Sequence, residues 1–214
     1  MVEWLTQEGF AVVSIDYRLV GDGVVFPAPI HDCKHALAWR EKHGAEYELD
    51  TERIFVGGPS AGAHLASLLA TSGEALTPDD IDSPLPKIRG VLHFYGPANL
   101  HAMLRYAKKP EDALNQPKSK VYGLLGGPLC DKVELAKAAS PATYWDAQDP
   151  PTLILVGTED TLMTQRQCRT YHELIQASGG DSTLHVIEGA DHGGAPFQDA
   201  QRRGLILGWL RERM

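Results

Sequence analysis

Arg53-Ile54-Phe55-Val56-Gly57-Gly58-Pro59-Ser60-Ala61-Gly62-Ala63-His64-Leu65-Ala66-Ser67-Leu68-Leu69-Ala70 is the stretch whose reading decides the fold. It opens as a short β-branched and aromatic run, the composition of a buried strand, and becomes an Ala/Leu-rich helix within a few residues. At the junction, Gly58-Pro59-Ser60-Ala61-Gly62 fits G-x-S-x-G. Between a strand and a helix, that pentapeptide reads as a nucleophile elbow, a strained turn that pushes the Ser60 hydroxyl out above the sheet. Glycines suit it because the strand and helix backbones approach closely there. A Ser at a helix N-terminus also has backbone N–H groups and the helix dipole beside it, which favour a developing oxyanion.

A serine hydroxyl is a weak nucleophile without a base, and the base needs an orienting acid. Behind such an elbow the partners come in the order Ser, Asp/Glu, His, each on a loop after a later strand. The apolar run Thr152-Leu153-Ile154-Leu155-Val156 leads into Gly157-Thr158-Glu159-Asp160. The run Thr183-Leu184-His185-Val186-Ile187 leads into Glu188-Gly189-Ala190-Asp191-His192-Gly193-Gly194. Asp160 and His192 therefore fall at strand C-terminal ends, where open α/β sheets bind ligands. Glu159 and Asp191 are neighbouring carboxylates that compete for the acid's place.

The chain has 214 residues, enough for one domain with a sizeable core. Its net charge of −8 argues against a nucleic-acid-binding surface. Cys33, Cys130 and Cys168 are scattered and allow at most one disulfide. No run reaches transmembrane length, and no His, Asp or Glu spacing suggests a metal site. No cofactor is expected.

In chain order, Met1 to Glu8 reads as the end of an amphipathic helix stopped by Gly9. Phe10 to Ile15 reads as a buried strand, and Val20 to Pro29 as a Gly/Pro loop. Asp32 is expected to cap a helix running to about Lys42. Lys87 to Tyr95 is a strand. The stretch 101–149 is weakly patterned, with one short helix near Lys132 to Ala139, and reads as a cap-like or surface insertion in a domain spanning 1–214. Helices follow from about Thr164 to Ala177 and from about Phe197 to Glu212. Alternating strands and helices predict an α/β fold, a mostly parallel sheet with helices on both faces. His64 and His93 read as packed core residues, His31-Asp32 as a helix start, and Tyr17-Arg18 as a structural anchor under the active site.

Several motifs together resemble the α/β-hydrolase superfamily. They are Val12-Val13-Ser14-Ile15-Asp16-Tyr17-Arg18-Leu19, Phe26-Pro27-Ala28-Pro29-Ile30-His31-Asp32, the elbow, Phe94-Tyr95-Gly96-Pro97, Ala139-Ser140-Pro141-Ala142 and Pro150-Pro151-Thr152. The chain is most similar to the esterase/lipase branch that holds hormone-sensitive-lipase-like enzymes and bacterial feruloyl and acetyl-xylan esterases. The resemblance implies Ser60 as nucleophile, His192 as general base then acid, Asp160 as orienting acid and the Ala61 N–H as an oxyanion donor. Pro59, Tyr95 and Asn99 are candidate substrate-pocket residues. The implied function is a serine carboxylic-ester hydrolase acting on a small-molecule ester, with acetyl or feruloyl esters of plant polysaccharide as candidates. An amide or formamide hydrolase would use the same triad.

The family's HGGG-type oxyanion loop, after its third strand, is absent here, and the first strands with it. The resemblance therefore implies an N-terminally truncated chain, with an in-frame strand ending in His-Gly-Gly upstream of Met1. A signal peptide would be lost with that segment, so localisation stays open. A catalytically impaired remnant is one alternative. Another chain supplying the missing strand, as in a homo-oligomer, is a second.

Overall fold

The computed structural model describes residues 2–105, 107–163 and 165–214. Its sheet is built from β1 (Ile54–Pro59), β2 (Ile88–Phe94), β3 (Thr152–Gly157) and β4 (Ser182–Ile187), in the order β1-β2-β3-β4 with every pair parallel. Parallel strands need helical crossovers, and the chain supplies them. α1 (Ala28–His43) precedes the sheet, and α2 (Ala61–Thr71) follows β1. The short α3 (Lys120–Leu125), α4 (Val133–Ala138) and α5 (Pro141–Tyr144) lie between β2 and β3. α6 (Gln165–Ala177) joins β3 to β4, and α7 (Ala200–Arg211) closes the chain. The expected start of α6 at Thr164 and of the first helix at Met1 both lie outside the described residues.

Helices cover both faces of the sheet, and residue parity on β2 shows it. A Cβ on Gly90 would lie 2.6 Å from the Trp209 ring of α7, so α7 packs on that face. His93, three residues along, meets Ser67 of α2 and the Tyr171 ring of α6 on the other face. β3 is buried along its whole length, and Leu153, Ile154, Leu155 and Val156 are fully enclosed. Its unbroken apolar run is what burial on both faces demands.

The stretch 101–149, expected as a cap-like or surface insertion, carries several short helices. Met103, Ala107, Leu125, Leu129 and Ala136 bury themselves in the same core as the sheet. The Asn115 side chain, itself buried, donates to the Ala107 and Lys109 carbonyls and accepts from the Cys130 N–H. The expected short helix near Lys132 is α4. Lys34 of α1 is fully buried, and its ammonium donates to the Gly73 carbonyl at 2.7 Å and to Thr77 Oγ1 at 3.1 Å. It thereby ties α1 to the turn after α2. Cys33, Cys130 and Cys168 are free thiols. Among the described residues no helix is long and apolar enough to cross a membrane.

Three expectations fail at the front of the chain. Phe10 to Ile15 forms no strand, and Val13, Ile15 and Leu19 are exposed. A strand needs a hydrogen-bonded neighbour, and among the described residues β1 pairs with β2 alone. The expected amphipathic helix before it is a 3-10 helix, Glu3–Glu8, ended by Gly9 in the left-handed region (φ 87). Asp32 does not cap α1, which begins four residues earlier at Ala28 with Pro27 as N-cap. The Asp32 carboxylate instead receives the Arg18 guanidinium at 2.8 Å and the Arg18 N–H at 2.8 Å. That pair holds the unpaired 10–19 segment to α1, with the Arg18 side chain exposed.

Candidate active site

Because all four strands run the same way, the loops after β1, β2, β3 and β4 share one edge of the sheet. Ser60, Tyr95, Asp160 and His192 each follow one of these strands.

The elbow is as tight as its glycines imply. Ser60 has φ 52 and ψ −113, a left-handed conformation that costs a side-chain-bearing residue about 1–3 kcal/mol. A Cβ on Gly58 would lie 3.0 Å from the Gly62 backbone, and one on Gly57 2.7 Å from Leu92 Cβ. The Ser60 N–H donates to the Phe94 carbonyl at 2.9 Å, and the Ser60 carbonyl accepts from His64 N at 3.1 Å. The turn is thus fixed to β2 on one side and to α2 on the other. Ala61 is the first residue of α2, so its N–H has no acceptor inside the helix and is free to meet an anion.

The Asp160 and His192 loops are laced together. Thr158 N donates to the Ile187 carbonyl, Glu159 N to the Ala190 carbonyl, and Gly189 N to Thr158 Oγ1. Gly157 must lack a side chain, since its Cβ would fall 2.0 Å from the Ala190 carbonyl oxygen.

His192 Nε2 lies 2.9 Å from Ser60 Oγ, and Nδ1 lies 2.7 Å from Asp160 Oδ2. A carboxylate only accepts, so Nδ1 carries the proton and Nε2 is left to accept the Ser60 O–H. The Asp160 side chain is wholly enclosed, and its other oxygen accepts from the N–H groups of Leu162 (2.9 Å) and Met163 (2.7 Å). Two backbone donors and the imidazole satisfy the buried charge. Glu159 and Asp191, the competing carboxylates, are exposed. Asp191 Oδ1 turns back to accept from the His192 N–H at 2.7 Å.

Of the candidate pocket residues, Pro59 is exposed beside the elbow. Asn99 Oδ1 accepts from Ala102 N at 2.9 Å, so its carbonyl end caps the 3-10 turn at His101–Arg105. Tyr95 is buried, with φ 41, and its ring stands edge-on to the His192 ring at 4.8 Å and to Phe197 at 4.6 Å. Burial, with the nearby Asp160 charge second, raises its phenol above the usual range. His64 and His93 are buried and hydrogen-bonded, as their places on α2 and β2 imply. His64 Nε2 donates to the Ala139 carbonyl at 2.6 Å. His93 spans Ser67 Oγ (2.8 Å) and the Gly96 carbonyl (2.9 Å). Sequence reasoning missed Phe197 and the Ser67–His93 pair. Only the parity of β2 against α2 could have signalled the pair.

The BD-FAE family model matches residues 1–175, which contain the elbow and the Asp160 loop. The chain belongs to the BD-FAE family. Within the α/β-hydrolases, it stands in the esterase/lipase branch. The BD-FAE chain is 30% identical to esterase LipQ of Mycobacterium tuberculosis over 190 residues, covering 85% of this chain and 42% of LipQ. It spans about two-fifths of the length of the curated relatives it matches. A bifunctional GH43-CE protein of Bacteroides eggerthii superposes with a TM-score of 0.84 at 27% identity, covering 99% of this chain and 30% of that one. Propionate-bound esterase Est2 of Thermogutta terrifontis gives a TM-score of 0.67 at 26% identity, with 92% and 68% covered. The BD-FAE match ends before His192, so the third member of the cluster rests on the geometry above.

Proposed function

We propose that this protein is a serine carboxylic-ester hydrolase that works through an acyl-enzyme on small acyl esters. The observation that carries the reading is the continuous hydrogen-bonded line from Asp160 through His192 to Ser60, with distances of 2.7 and 2.9 Å. In this mechanism Ser60 Oγ attacks the ester carbonyl while His192 Nε2 takes its proton. Asp160 holds the tautomer and stabilises the imidazolium. The Ala61 N–H donates to the oxyanion. The imidazolium then protonates the leaving alkoxide, and His192 activates a water that releases the acid.

Short acyl groups suit this reading. Est2, 26% identical, has been observed with propionate and with butyrate bound. Acetyl or feruloyl esters of plant polysaccharide are the natural substrates we assign, with Pro59 and Asn99 at the pocket mouth. The Ala61 N–H is the oxyanion donor that this reading assigns.

The test is hydrolysis of p-nitrophenyl acetate, methyl ferulate and the matching anilide by the purified chain, beside Ser60→Ala. Ester turnover that vanishes in Ser60→Ala, with the anilide untouched, supports the reading. Faster anilide cleavage would favour an amidase. Equal rates from two folded proteins would mean that the cluster is idle.

A further inference from the structure

We propose that the turn after β2, Tyr95-Gly96, is the positioning element of the triad, with the Tyr95 ring setting the rotamer of His192 and the buried Ser67–His93 pair locking the turn from beneath. The inference deepens the function proposed above and rests on it for its kinetic arm.

Four contacts converge on this turn. The Phe94 carbonyl accepts the Ser60 N–H at 2.9 Å, which fixes the nucleophile's backbone to the end of β2. The Tyr95 N–H donates to the Leu155 carbonyl at 2.8 Å, which fixes the turn to β3, the strand that leads to Asp160. Gly96 lies directly under the elbow, where a Cβ would meet Ala63 Cβ at 2.5 Å and the Ser60 carbonyl at 2.8 Å. The Tyr95 ring stands edge-on to His192, at 64° between the planes, and is backed by Phe197 at 68°. One turn thus touches the nucleophile, the acid's strand and the base.

The strain at Tyr95 argues that the ring is there for a reason. At φ 41 a glycine would sit without steric cost, yet the position carries a large aromatic side chain. The left-handed backbone swings that side chain toward the β4 loop. There its ring edge passes close to Gly193: a Cβ on that residue would lie 3.0 Å from the Tyr95 hydroxyl and 3.4 Å from its ring carbon. Gly193, itself at φ 102, is the residue after His192. The ring therefore lies against the residue after His192 as well as against the imidazole.

A strained turn persists only where its surroundings hold it. His93 does this from the core. It is fully buried, and its ring bridges Ser67 Oγ and the Gly96 carbonyl. The neutral ring fits this bridge: Nε2–H donates to Gly96, and Nδ1 accepts the Ser67 hydroxyl. Burial keeps it neutral by pushing its pKa down to about 4. No substrate can reach His93, so its part is positioning.

The reading that Tyr95 lines the substrate pocket makes a different prediction, because a pocket residue acts on KM. Displacing the imidazole by about an ångström can cost 100-fold in turnover with substrate binding intact. The variants are Tyr95→Ala, Tyr95→Phe, His93→Leu and His93→Gln, with circular dichroism confirming the fold.

The first readout is the far-downfield proton resonance of His192 Nδ1–H, identified by its loss in Asp160→Asn. It needs no turnover, so it tests the proposal even if Ser60 proves idle. We expect it to broaden away in Tyr95→Ala and His93→Leu and to persist in Tyr95→Phe and His93→Gln. The second readout is steady-state hydrolysis of p-nitrophenyl acetate. There kcat should fall 10- to 100-fold in Tyr95→Ala with KM within about threefold, and Tyr95→Phe should recover most of it. If His93→Leu does not fold, the Tyr95 pair carries the test alone. An unchanged resonance in folded Tyr95→Ala, or a raised KM at unchanged kcat, would overturn the proposal. Loss of wild-type turnover with the resonance behaving as expected would instead count against the hydrolase reading.

Discussion

The Asp160 carboxylate has no uncommitted oxygen. Both oxygens are enclosed and committed, one to His192 and the other to two backbone N–H groups. Asp160→Asn keeps the volume but offers an amide where Nδ1–H needs an acceptor, so the imidazole is driven to the wrong tautomer. On the proposed mechanism kcat for p-nitrophenyl acetate falls by about 1,000- to 10,000-fold with KM little changed. The same substitution at Glu159 or Asp191, both exposed and away from Nδ1, changes kcat less than about threefold. Steady-state kinetics on the three variants separates the acid from its neighbours. At this scale much was legible in advance. Ser60, Asp160 and His192 stand where G-x-S-x-G and the strand ends put them, because each follows an apolar run in sequence. Tyr95 was legible as a strand-end candidate for the substrate pocket, not as a neighbour of His192. Its strained φ and its contact with His192 depend on the β2 and β4 loops meeting, and no local pattern encodes that.

Among the elements, the junction of the β3 and β4 loops is the least forgiving. A methyl at Gly157 would fall 2.0 Å from a backbone oxygen, so the loops rather than a side chain must move. Gly157→Ala is expected to destabilise the fold by about 2 kcal/mol or more and to lower kcat beyond what folded content explains. Thermal unfolding and active-fraction-corrected turnover check both halves. The β1–β4 strands and α2 were readable because long apolar runs flanked by Gly, Pro and Asp leave few alternatives. Phe10–Ile15 has the same composition, yet it pairs with no described strand: Phe10 and Val12 lean on the core while Val13 and Ile15 are exposed. An apolar run says that a segment can pair, not that a neighbour is available. Asp32 was misread for a related reason. An Asp before a helical run looks like a cap, and only the fold shows that Arg18 claims it.

For the molecule as a whole, buried histidines set the acid side of stability. His93 has its pKa pushed down from 6.5 to about 4, and burial lowers that of His64 in the same direction. Above pH 6.5 both are neutral whether folded or unfolded, so they add no pH dependence. As pH falls from 6.5 toward 4 the unfolded chain takes up protons that the folded chain refuses. The resulting loss at His93 alone is about 3 kcal/mol across the window. Asp149 works the other way, since burial raises its carboxyl to about 6 and the folded state gains as pH falls through that value. It is partly exposed and opposes a pair of deeply buried rings, so the net slope remains a loss. Asp32, held below 3.8 by Arg18, contributes its own loss only at lower pH. Urea unfolding at pH 7 and pH 5 is expected to give a smaller pH difference for His93→Gln than for the wild type. An equal difference would assign the acid sensitivity to other groups.

The most direct test of the central claim, that Ser60 is an activated nucleophile, is covalent capture. The purified chain is treated with diethyl p-nitrophenyl phosphate, digested, and mapped by mass spectrometry beside Ser60→Ala and His192→Gln. The account predicts one diethylphosphoryl group, on the peptide holding Ser60, absent in Ser60→Ala and much slower to form in His192→Gln. A folded chain that stays unlabelled, or that carries the group on another residue at the same rate in all three proteins, would contradict it.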